Sequence, residues 1–156
     1  KIFADEKRLR TACLRYFNVF GPRQDPKSQY AAAVPIFIHR ALKNEPITIY
    51  GDGEQTRDFI YVKDIAAANA YFATQSTATG VLNVAYGKKI TINDLCTTIC
   101  KLTGSKSEIK HAPDRAGDVK HSMAAVDKLR AAGFVPKGSL NAGLQATVEF
   151  FKSNIT

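Results

Sequence analysis

TACLRYFNVFGPRQDP, residues 11–26, decides how the rest of the chain is read. Its first half is β-rich and runs into Phe20-Gly21-Pro22, so Thr11 to Val19 is predicted to be a buried strand that ends in a loop. The loop, Gly21 to Gln29, is long and polar and carries Pro22, Asp25 and Pro26, a place for function rather than core. Ligands of open α/β sheets bind beyond the carboxyl ends of strands. Asn18, a polar amide directly after Tyr16-Phe17, stands at such an end. It reads either as a ligand contact or as the cap of a turn leading to Pro22.

Outward from this stretch, short strands alternate with helices. A helix is expected over Ala31 to Lys43, with Pro35 in its first turn or kinking it. Ile47 to Tyr50 is a strand, Gly51-Asp52-Gly53 a turn, and Asp58 to Val62 a second strand. Asp64 is suited to cap a helix over Ile65 to Thr74. Val81 to Val84 is a strand. Thr91 and Asp94 resemble a capping box for a helix carrying Ile92, Leu95, Ile99 and Leu102, stopped by Gly104. A strand over Ser107 to Ala112, a loop over Pro113 to Asp118, and helices over Ala125 to Ala132 and Leu140 to Lys152 complete the chain. The class is mixed α/β, with alternation not regular enough for a complete doubly wound domain. At the other end there is no initiator Met, and Lys1 to Leu9 reads as the end of an amphipathic helix with Ile2 and Phe3 on one side. That start leads us to expect a cut chain.

The 156 residues fit one domain, and 45% hydrophobic content supports a core. No apolar run approaches the roughly 20 residues of a membrane span, and no signal-peptide pattern opens the chain. The net charge of +8 suits anionic partners, but the basic residues are scattered and no nucleic-acid motif is present. Cys13, Cys96 and Cys100 are an odd count, pointing to reduced thiols and a cytoplasmic location. Cys96 and Cys100 lack companions at metal spacing, as do His111 and His121, so no metal is expected and the two thiols should pack as small hydrophobes.

A dinucleotide site needs a glycine-rich turn between a strand and a helix. Gly51-Asp52-Gly53 falls between two strands and does not qualify. None of the six tyrosines is followed four residues later by Lys, so the Tyr-x-x-x-Lys pair used for hydride chemistry on alcohols is missing, and no nucleophile elbow is found. Two loop arginines remain. Arg57 follows the Gly51–Thr56 turn, and Arg115 lies in Asp114-Arg115-Ala116-Gly117-Asp118. Arginine is a fixed fork of charged donors that suits phosphate. Each could equally be a surface ion pair, Arg57 with Asp58 or Glu54.

Three segments in order, Arg15–Pro26 (RYFNVFGPRQDP), Ile49–Val62 (IYGDGEQTRDFIYV) and Arg115–Ser122 (RAGDVKHS), resemble the extended short-chain dehydrogenase/reductase enzymes. Within that family the similarity is to UDP-sugar 4-epimerases, in particular those acting on UDP-N-acetylglucosamine. The resemblance implies a Rossmann part that holds NAD, a part that grips the nucleotide sugar, and a homodimer. It implies that this chain is the carboxy-terminal, substrate-binding half, with the Rossmann NAD-binding core mostly missing. Residues 1–29 would be a Rossmann remnant and 30–156 the substrate domain. NAD would then be held mainly by a missing amino-terminal part, with Phe17 approaching the nicotinamide.

The substrate roles implied are equally specific. Asn18, Arg57 and Arg115 would meet the diphosphate and Asp118 the ribose. Ala32, Ala33 and Ile36 would lie by the uracil, with Tyr50 nearby. Ser122 would wall the sugar pocket, its small size leaving room for an N-acetyl group, or would merely pack beside the following helix. No catalytic residue is expected within the chain, and the chain alone is expected to be inactive. Expected partners are a UDP-sugar and the remaining Rossmann part, with no nucleic acid and no membrane. The alternatives are a portion of a nucleotide-sugar 4,6-dehydratase or reductase, and a non-catalytic nucleotide-sugar binding module.

Overall fold

The computed structural model describes residues 2, 6, 10–27, 32–115 and 117–154. The expected amphipathic helix end at Lys1 to Leu9 therefore lies almost wholly outside the described residues. The elements are β1 (Ala12–Tyr16), β2 (Asn18–Phe20), α1 (Ala33–Leu42), β3 (Ile47–Tyr50), β4 (Thr56–Arg57), β5 (Phe59–Tyr61), α2 (Val62–Thr74), β6 (Gly80–Val84), β7 (Ile90–Thr91), α3 (Ile92–Thr103), β8 (Ile109–Ala112), α4 (Asp127–Ala131) and α5 (Leu140–Asn154).

Strand pairing corrects the expectation that the Rossmann-type framework is mostly missing. β1 pairs parallel with β6, β2 with β5, and β3 with β8, while β4 and β7 pair antiparallel. Parallel neighbours require crossover connections, and each one here contains helix: α1 lies between β2 and β5, α1 and α2 between β1 and β6, and α2 and α3 between β3 and β8. This is a parallel α/β, Rossmann-like framework. Its regularity is hidden in sequence because the paired strands are distant and as short as three residues.

The strand predicted over Thr11 to Val19 is two strands. At Phe17 the backbone N–H still donates to Val84 O of β6 (3.3 Å), but at Asn18 it donates to Asp58 O, next to β5 (3.2 Å). The chain changes neighbours between these residues, and Asn18 Nδ2 reinforces the second contact by donating to the same Asp58 oxygen at 3.1 Å. β1 is also less buried than expected, with Cys13 exposed and Tyr16 44% exposed; among the described residues only β6 pairs with it.

β5 separates two apolar clusters. Alternation along a strand sends Phe59 and Tyr61 to one side, among Phe20, Phe37, Ile38, Leu95 and Leu144. Ile60 goes to the other, among Ile65, Leu82, Val84 and Leu129. Full burial of each such side chain stabilises the fold by about 1.5–3 kcal/mol. α1 forms because Val34, Phe37, Ile38 and Ala41 fall on one face at helical spacing. Pro35 sits in its first turn, where the missing N–H has no intrahelical acceptor to lose. The cap expected at Thr91 is present, Thr91 Oγ1 accepting from Asp94 N at 3.0 Å, and Gly104 ends α3 in the left-handed conformation.

Asp64 is not the cap it was expected to be. α2 begins earlier, at Val62. Asp64 lies inside its first turn and accepts from Tyr86 Oη (2.6 Å), Lys137 N (3.0 Å) and Gly138 N (3.1 Å). Cys96 is buried and Cys100 half-buried. No helix among the described residues is long and apolar enough to cross a membrane.

Candidate functional site

Divergence of the chain at Asn18 opens a cavity of about 450 Å³ between β2, α1, β3 and β4. Asn18 stands at one end. Ala32, Ala33 and Ile36 supply the start of α1, Tyr50 the end of β3, and Arg57, Arg115 and Asp118 the polar rim. Eight of the residues singled out from sequence thus share one cavity, although they span about a hundred positions. Phe17 and Ser122 do not line it. Phe17 packs against the second apolar cluster, and Ser122 N donates to Thr56 O at 3.0 Å beside β4.

The cationic rim is prearranged. Neither partner first considered for Arg57 is the one observed. Arg57 Nη2 donates to Asp118 Oδ1, and Nη1 donates to Thr56 O (2.9 Å) and Val119 O (2.5 Å). Its side chain is only 15% exposed, so the fork is aimed rather than free. Asp58, the next residue, points the opposite way, as alternation requires. It is fully buried and accepts from Gly87 N (3.0 Å) and Ala124 N (3.2 Å). Burial pushes its carboxyl above the ordinary range, while backbone N–H bonds from Ala124, Tyr86, Gly87 and Lys88 oppose the shift. Arg115 lies over the Tyr50 ring, its guanidinium carbon 3.8 Å from the centroid, a stacked cation–π contact.

Sequence reading missed three polar lining residues, Arg40, Thr48 and Gln55. Arg40 follows Ile36 by one helical turn, and that spacing could have found it. Gln55 donates from Nε2 to Tyr50 O at 2.7 Å, tying the ends of β3 and β4 together. No sequence pattern marks that bond. With Arg40, Arg57 and Arg115 against Asp118, the cavity is cationic. Its described lining contains no Lys or His, and so no evident proton-transfer pair. An anion attached to a flat or apolar group would complement this lining.

Gly51 and Gly53 both have φ +75°, and side chains there would meet Asp114 and Asn93. They serve a tight turn between β3 and β4 and do not fit a pyrophosphate cradle at a helix start.

The family model for the NAD dependent epimerase/dehydratase family matches residues 1–85. A putative UDP-glucose 4-epimerase from Methanocaldococcus jannaschii is 37% identical over 146 residues, covering 94% of this chain and 47% of that protein. The UDP-glucose 4-epimerase of Thermotoga maritima, solved with UDP-glucose, superposes with a TM-score of 0.93 at 40% identity, over 99% of this chain and 50% of that one. The UDP-N-acetylglucosamine 4-epimerase of Methanobrevibacter ruminantium M1, solved with UDP-N-acetylmuramic acid, gives 0.93 at 46% identity with the same coverage. The chain spans about half the length of the relatives it matches.

The match over residues 1–85 overturns the reading of the chain as a carboxy-terminal portion with the NAD-binding core mostly absent. More than half of the chain, through β6, falls in the family's Rossmann-type, NAD-dependent region. NAD binding is accordingly not assigned to a part outside these residues. The framework, the cationic cavity and the matched stretch agree, and the chain belongs to the NAD dependent epimerase/dehydratase family, with nucleotide-sugar epimerases among its relatives.

Proposed function

We propose that the cavity grips the nucleoside diphosphate of a UDP-sugar in a 4-epimerase acting on UDP-N-acetylglucosamine or UDP-glucose and their C4 epimers. The observation that carries this reading is the rim. Two arginine forks, one fixed through Asp118 and Val119 and one stacked on Tyr50, stand over the apolar start of α1. A diphosphate needs charge-assisted donors from more than one direction, and a planar base needs an apolar slot. Arg57, Arg115 and Asn18 take the diphosphate, Asp118 the ribose, and Ala32, Ala33, Ile36 and Tyr50 the base. Ser122 is assigned to the sugar end and Phe17 to the cofactor side. NAD, when bound, supplies the transient removal and return of hydride at the sugar carbon. These residues bind and orient, and none of them is given a proton to move.

Relatives solved with UDP-glucose and with UDP-N-acetylmuramic acid support a uridine diphosphate ligand. Their higher identity favours epimerisation over a 4,6-dehydratase or reductase reaction on the same ligand class. A homodimer and a cytoplasmic location belong to the same reading. Comparative calorimetry with UDP and uridine tests it. UDP is expected to bind at least about tenfold more tightly, since the diphosphate adds charge-assisted bonds. Equal affinities would rule the diphosphate grip out.

A further inference from the structure

We propose that the chain carries a second ligand site, for a small anion attached to an apolar body, in the cavity between the β6–β7 turn and the start of α5. This cavity encloses about 510 Å³, the size of an ordinary small-molecule pocket. It is distinct from the first, and Phe59 lines both. Three segments distant in sequence form it: the Lys88-Lys89 turn, α4 with Arg130, and residues 135–141 leading into α5.

The floor is apolar, with Val126 and Leu129 buried in the second cluster. The rim is cationic. Lys88, Lys89 and Arg130 all line the cavity, and none has an acidic partner within 4.0 Å among the described residues. Arg40 and Arg57 in the first cavity are both paired. Three unneutralised cations around one opening repel one another, and an anion offsets that repulsion.

Asp64, close behind this wall, has its carboxylate engaged by Tyr86, Lys137 and Gly138. The same bonds fix the 137–138 turn, so the wall stands before any ligand arrives. Leu140 and Asn141, in the first turn of α5, also line the cavity. Ser139 takes the N–H of Ala142 at 3.2 Å, and the earlier N–H groups of such a turn have no intrahelical acceptor. A wholly polar anion would leave the floor uncovered, and a neutral apolar molecule would leave the cations unpaired. A carboxylate, sulfonate or phosphate ester on an apolar or aromatic group satisfies both.

The probe is 8-anilinonaphthalene-1-sulfonate, titrated onto the full chain and followed by fluorescence. Saturable binding is expected, weakened about tenfold or more by Lys88→Ala/Lys89→Ala/Arg130→Ala through loss of its charge-assisted contacts. The titration is run with excess UDP occupying the first cavity, and the Arg57→Ala/Arg115→Ala variant, which lacks that cavity's cationic rim, should keep this saturable binding, which separates the two sites. Lys89→Glu alone, at an exposed position, should weaken binding comparably and guards against a triple variant that fails to fold. Absent saturation, unchanged affinity in Lys89→Glu, or binding lost with the Arg57 and Arg115 variant would each overturn the proposal.

Discussion

Replacing Arg57 with alanine removes one fork from the rim of the first cavity. In the structure that guanidinium makes bonds to Asp118, Val119 O and Thr56 O, and its side chain is only 15% exposed. Its remaining donor capacity is already aimed, so a phosphate oxygen gains the bond without much further ordering. A charge-assisted hydrogen bond of this kind is worth about 1.5–3 kcal/mol, and about 1.4 kcal/mol is tenfold in affinity. UDP binding should therefore weaken roughly ten- to a hundredfold, read by isothermal calorimetry. Loss of the partly exposed Asp118 pair should cost about 0–1 kcal/mol and the bonds to Val119 O and Thr56 O about 0.5–1.5 kcal/mol each, within the stability of an ordinary folded domain. The variant stays folded, and unfolding does not account for the lost affinity. Arg57→Lys keeps the charge but not the fork, so it should recover only part of the binding. Arg115→Ala should cost a similar factor and release the Tyr50 ring. Unchanged UDP affinity in both alanine variants would refute the reasoning and leave the arginines as structural ion-pair and stacking groups.

The other expected outcomes concern chemistry, stability and selectivity. The 156-residue chain given NAD and UDP-N-acetylglucosamine is expected to show no epimerisation, because no Tyr-x-x-x-Lys pair is present; product above background refutes this. Asp58→Ala strands the buried N–H groups of Gly87 and Ala124 and should cost about 2–5 kcal/mol in denaturant unfolding. Burial raises the Asp58 carboxyl above 3.8, so the folded chain binds this proton more tightly than the unfolded one. Stability then falls as pH rises through the folded pKa, and Asp58→Asn should gain on wild type over that interval; a difference flat with pH contradicts this. Tyr86→Phe removes the 2.6 Å bond to Asp64 and should cost about 1.5–3 kcal/mol while leaving UDP affinity unchanged. Measured in a catalytically active, full-length form of the enzyme, Ser122→Tyr should lower kcat/KM for the N-acetylated sugar by about five- to a hundredfold, an overpacking cost of about 1–3 kcal/mol, and spare UDP-glucose; equal effects on both sugars remove Ser122 from the sugar end.

Local physics carried much of the secondary structure in the sequence itself. Helical spacing of Val34, Phe37 and Ile38, the Thr91 cap, and the stop at Gly104 were all legible, because each depends on residues within one turn. Strand ends were less so: β5 and the start of α2 fall where a single strand over Asp58 to Val62 was expected, and β4, at Thr56–Arg57 just before it, was not expected at all. Their limits are set by partners far along the chain, β7 for β4 and β2 for β5. Asp64 shows the same limit. Its position suited a cap, yet its carboxylate went to residues more than 70 positions away.

The three motif segments were recognisable in sequence because functional side chains there cluster within loops and strand ends. Arg40 and Gln55 went unnoticed because their place in the site comes from the packing of α1 and from the fold of the Gly51–Gly53 turn, which brings Gln55 back to Tyr50 O. The sequence by itself determined the α/β character, the missing hydride-transfer pair, and the residue types able to hold an anion. Only the tertiary structure decided the parallel framework, the change of strand partner at Asn18 that opens the cavity, and the pairing of Arg57 with Asp118. Contacts between residues distant in the chain depend on how separate elements pack, and spacing along the sequence does not encode that.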